Sequence, residues 1–207
     1  MITLWCKFVT WFWYRSRLFY LWTSLYRLMN ERKWKDKLLP VVTELEDVED
    51  LMKVIKWESD KSRWLDSISL PQATYGRHEL GRGSDCDDSA FLAATLIERI
   101  RKLDPTIGIK EVGLLSVLWR GGGHAVCIFK LDGNVFMHNP EIGSMRAYQW
   151  VHIGNWNLGK MKKGFASVEA IVFDILSGAG VRKENCIGWS LLDSNLKHVK
   201  YSSKVNL

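Results

Sequence analysis

His-Ala-Val-Cys-Ile-Phe-Lys-Leu-Asp-Gly-Asn-Val-Phe-Met-His-Asn, residues 124–139, decides how the second half of this chain is built. Apolar residues crowd both sides of Asp132-Gly133, a dipeptide that favours a two-residue hairpin turn. The reading is two antiparallel strands, about 124–131 and 134–139, joined there and preceded by a strand over about 110–119. With that turn, Val126 faces Asn139 and His124 faces Glu141. His124 and Asn139 then share one sheet face as diagonal neighbours, whereas His138 pairs with Cys127 on the other face. A single bulge would reverse that choice.

Helical signals come earlier. Thr43-x-x-Glu46 has the form of a capping box and predicts a helix over about 44–58, with Leu45, Val48, Met52 and Ile55 inward. A longer helix over about 86–102 carries Ala90, Leu92, Ala93, Leu96, Ile97 and Ile100 on its apolar face, and Asp104-Pro105 stops it. Residues 59–84, with Pro71, Gly76, Gly81 and Gly83, read as irregular. A third helix is expected over about 166–177, with Val168, Ile171, Val172 and Ile175 inward, followed by one more strand and a polar end. Helices first and an antiparallel sheet second make the class α+β.

The chain has 207 residues, of which 47% are hydrophobic and 25% charged, so one domain with an appendage is expected. The net charge of +6 is thinly spread and has no basic run with regular aromatic spacing, which argues against a specific nucleic-acid partner. Cys6, Cys86, Cys127 and Cys186 lie too far apart for a zinc or disulfide pattern, which fits a reducing compartment.

Residues 1–30 hold no acidic residue, and four of the 11 tryptophans fall within the first 22 positions. Trp5, Phe12, Phe19 and Tyr26 recur at seven-residue steps, the spacing of an amphipathic helix with an aromatic face. The interrupted apolar run argues against a signal peptide, and the scattered Lys and Arg argue against a spanning helix. The arm is expected to dock on a protein assembly or, second, on a membrane surface. Residues 31–42 read as a linker, which divides the chain into 1–42 and 43–207. The expected location is cytoplasmic or assembly-associated.

Gly83-Ser84-Asp85-Cys86-Asp87-Asp88 places a thiol at a helix start, where free N–H groups and the positive dipole end favour a thiolate. Three glycines precede His124, which leaves room for an approaching chain or substrate. Asp85, Asp87 and Asp88 invite a metal reading, but acids in a first helical turn ordinarily serve the helix, and calcium-loop spacing is lacking. No metal and no cofactor are expected, and Asp88 is the candidate for locking the helix start.

The cysteine segment, Gly123-His124-Ala125-Val126, and Phe136-Met137-His138-Asn139-Pro140 resemble, in that order, three segments of the bacterial transglutaminase-like cysteine proteinases. These belong to the wider papain-like and transglutaminase-like superfamily. The resemblance covers about residues 43–145. It implies a nucleophile helix packed on an antiparallel sheet. It also implies thiol-dependent hydrolysis or acyl transfer on a protein or peptide amide, with Cys86 as nucleophile and His124 as base and then acid. Asn139 stands where the family carries Asp, which would make the triad Cys-His-Asn. One residue is also inserted between Gly83 and Asp85 relative to the family motif. The alternative is a non-catalytic structural or docking protein that retains the fold.

Overall fold

The computed structural model describes residues 24–26, 28–29, 31–59, 68–139, 143–154 and 159–202. Residues 24–26, 28 and 29 are helical, and the rest of the expected N-terminal helix lies outside the described residues. The body is α+β. Helices α1 (Leu45–Val54), α2 (Pro71–Glu79) and α3 (Cys86–Leu103) come first. Strands β1 (Ile109–Trp119), β2 (Gly122–Asn139), β3 (Gly143–Ile153) and β4 (Lys162–Phe165) follow. Helix α4 (Val168–Gly178) then leads to β5 (Cys186–Asp193) and β6 (His198–Ser202). The six strands form an open antiparallel sheet in the order β4-β3-β2-β1-β5-β6.

The sheet carries a separate core on each face. Ala125, Cys127 and Phe129 of β2 pack with α1 and α3, while Val126 and Ile128 pack with α4. That division follows from the strand's two-residue period. It also explains the near-continuous apolar run 125–129, since a strand buried on both faces has no polar side. In α3 the expected inward residues Ala90, Leu92, Ala93, Leu96, Ile97 and Ile100 are all fully buried. Each large aliphatic among them contributes about 1.5–3 kcal/mol of apolar burial. Leu45, Val48, Met52 and Ile55, and likewise Val168, Ile171, Val172 and Ile175, are buried as their spacing predicts.

Asp132-Gly133 is not a turn. Strand β2 runs through it and shifts register between Asp132 and Phe136. Its real partners are β1, from which it turns back at Arg120-Gly121, and β3, which pairs Cys127 with Ile153 and Asn139 with Gly143. Pairing with β3 on either side of Asp132-Gly133 outweighs one local turn signal, while β1 reaches only as far as Leu131. Strand β3, the short β4 and a second C-terminal strand are additions to the sequence reading. Helix α2 replaces part of the irregular stretch, with Pro71 in its first turn. The start of α1 is held one residue later than expected: Asp47 accepts the amides of Thr43 at 2.8 Å and Glu44 at 3.1 Å.

Residues 31–42 touch the body through Glu31, Trp34, Lys37, Leu39 and Val42, while Leu38 and Val41 are exposed. Trp34 lies so close to α2 that a Cβ on Gly76 would stand 2.3 Å from its ring. Lys37 pairs with Glu79, and Leu39 and Val42 enter the α1–α3 core.

Candidate functional site

Cys86 is the first residue of α3, half-buried against the α1–α3 core. The chain before it is pinned at close range. Ser84 donates its amide to Lys56 O and accepts from the Glu58 amide, both at 3.0 Å. Gly83 donates to Glu58 Oε2 at 2.8 Å, and a Cβ there would stand 2.7 Å from Lys56 O. Only glycine fits so close to a neighbouring backbone.

The first turn is held by Asp85 and Asp88. The Asp85 carboxylate caps the helix by accepting the Asp88 amide at 3.3 Å. Asp88, 3% exposed, spends one oxygen on the Ser69 amide at 2.6 Å and the other on Arg77 Nη2 at 2.6 Å. Asp88 thus locks the helix start, as its position suggested, but by bonds to other segments. The oxygens of Asp85, Asp87 and Asp88 lie within 4.8 Å of one another, yet Asp88 has already committed both of its own.

Arg77 Nη1 also reaches Glu31, at 3.5 Å. Glu31 is 2% exposed and accepts the Leu70 amide at 2.5 Å. Neither Glu31 nor Arg77 was singled out from the sequence. They lie 46 positions apart, and no local pattern links them.

His124 stands on the other side of the sheet. It pairs with Val117, and Val117 pairs with Trp189, both members of the α4-side core. Directly paired residues share a face, so His124 faces α4 while α3 covers the reverse. Helix α3 leads through the turn Pro105–Ile107 into β1, so Cys86 lies toward the end of the sheet where β2 begins. Thiol and imidazole thus sit near the same end on opposite faces. Asn139 closes β2, fifteen residues beyond His124. At about 3.3 Å per residue that is roughly 50 Å of strand. Strand β2 is continuous through Asp132-Gly133, so His124 and Asn139 are not cross-strand neighbours in the sheet.

Burial pushes the His124 pKa down to about 4, with the nearby His152 adding to the shift. His152 is 2% exposed and its Nε2 lies 3.1 Å from Asp174 Oδ2 on α4. Burial holds the His152 pKa below its ordinary value against the opposing pull of Asp174. Lys162 pairs with the same carboxylate at 2.9 Å. This His152–Asp174–Lys162 group, with His124 beside it, fastens α4 to β3 and β4. Among the described residues, Cys127 and Cys186 are poor nucleophiles, because burial raises the pKa of both thiols.

No protein-family model, curated protein or solved structure matches the chain. Among the described residues, no helix is long and apolar enough to cross a membrane.

Proposed function

We propose that the chain is a docking module, an α+β body that fixes the root of an aromatic arm and offers that arm to a protein assembly. The observation that carries this reading is the anchoring of residues 31–42. A buried Glu31 carboxylate, a tryptophan seated at Gly76 and the Lys37–Glu79 pair hold the segment along α2. An enzyme does not require its N-terminal extension to be built into the body, whereas a presenting module does. In this reading the transglutaminase-like cysteine helix serves as scaffold.

A second reading, a thiol-dependent amide hydrolase or acyltransferase, is favoured by one observation: Cys86 is the first residue of α3. There the free N–H groups stabilise a thiolate that could attack a peptide or glutamine carbonyl, expelling the amine as a thioester forms. It needs a proton carrier within reach of the thiol, the role the resemblance gives to His124.

Deleting residues 1–30 tests the docking reading and leaves Glu31 in place. The truncated chain is expected to melt within a few degrees of the full chain and to lose its sedimenting associations with protein. Vesicles of phosphatidylcholine and phosphatidylserine form the second arm of the experiment. Associations that survive the deletion contradict the reading, and arm-dependent binding to vesicles alone replaces the protein partner with a membrane.

A further inference from the structure

We infer that Arg77 couples the root of the N-terminal arm to the first turn of α3, so that displacement of the arm is transmitted to Asp88 and the helix start that carries Cys86. Four segments close one ring. Glu31 at the arm root and Asp88 on α3 each accept a backbone amide, from the consecutive residues Leu70 at 2.5 Å and Ser69 at 2.6 Å. The same two carboxylates share the Arg77 guanidinium, Nη1 toward Glu31 at 3.5 Å and Nη2 toward Asp88 at 2.6 Å. Glu31 and Asp88 are 2% and 3% exposed, so neither charge can turn to water without the ring opening. Two carboxylates on one guanidinium leave an excess negative charge, which the α3 N-terminus beside Asp88 offsets.

The ring makes the arm root and the α3 start depend on each other. Drawing Glu31 away removes one of the two carboxylates that hold Arg77 and releases the Leu70 amide at the entrance to α2. Ser69, one residue back, then loses its fixed approach to Asp88. The Asp88 amide bonds the cap Asp85 at 3.3 Å, and the next residue, Ser89, bonds Ser84 at 2.8 Å through their hydroxyls. The first turn therefore loosens at both of its fastenings. The use of this coupling rests on the docking reading; the coupling itself does not. An arm engaged by a partner would signal its engagement to the body.

Amide hydrogen exchange on the full chain, with Glu31→Gln, tests the inference. Gln keeps the shape and an acceptor for Leu70 but loses the charge. Exchange at Leu70 is expected to quicken about threefold or more, together with Ser69, Asp88 and Ser89, while Ile97 and Ile128 stay unchanged. Alkylation of Cys86 should accelerate in step and that of the buried Cys127 should not. A change confined to Leu70 overturns the coupling. So does a common factor at every amide and at Cys127, which marks general destabilisation. Arg77→Lys, a cation that cannot fork to both carboxylates, is expected to reproduce the Ser69 and Asp88 effects and serves if Glu31→Gln does not fold. If deletion of residues 1–30 leaves associations intact while the exchange pattern holds, the docking reading fails and the coupling stands.

Discussion

His124 shows how burial governs the charge of a single residue. After three glycines and ahead of Ala-Val it has the setting of a catalytic imidazole, but its neighbours are Val117, His152 and the α4 core. Because its folded pKa lies below the ordinary histidine value, the folded state resists the proton that the unfolded chain accepts. The stability it contributes is complete above about pH 6.5 and is lost as pH falls from there to about 4. The lowered pKa of His152 acts in the same direction. Over that window the loss from His124 amounts to about 3 kcal/mol. Thermal melts of the wild type and of His124→Phe from pH 7.5 to pH 4 should therefore diverge in slope, the variant losing less on acidification. Equal slopes would mean that His124 is not held neutral by burial.

Among the elements, periodicity was informative where one face is buried and one is wet. Helices α1, α3 and α4 could be read from their apolar spacing, and their inward residues are the buried ones. Helix α2 was hidden because Gly76 interrupts it and four of its nine residues, Pro71, Ala73, Thr74 and Gly76, are the buried ones. Glycine there serves the neighbouring Trp34, a tertiary reason with no local trace. Strand β2 misled for a related cause. Asp132-Gly133 is a good turn in isolation, but β3 pairs with the strand on both sides of it and the strand runs through. Without that turn, strand parity no longer favours Asn139 over His138. The helix start at Cys86 could thus be read, whereas the strand pairing of Asn139 could not, because it is decided by sheet register. Gly76→Ala tests the packing of α2 against the arm root. The added Cβ, 2.3 Å from the Trp34 ring, must expel it. Gain in helix propensity of about 1 kcal/mol offsets part of an overpacking cost of about 1–3 kcal/mol, so the melting temperature should move little. Tryptic cleavage after Lys35 and Lys37 should quicken several-fold. Unchanged cleavage would show that Trp34 does not secure the segment.

At the scale of the whole molecule, the sheet is a partition. On one side lie the α1–α3 core, the cysteine helix and the root of the arm; on the other lie α4, His124 and the His152–Asp174–Lys162 group. The fastening of residues 31–42 lies on the first side. Cys86 keeps a helix-start environment on the α1–α3 side. The pH profile of iodoacetamide labelling at Cys86, compared between wild type and His124→Ala, tests this arrangement most directly. The account predicts coincident profiles and rates, because the two side chains occupy opposite faces. A rate at Cys86 that falls about tenfold in His124→Ala, with loss of a titration near neutral pH, would contradict it and restore the thiol enzyme.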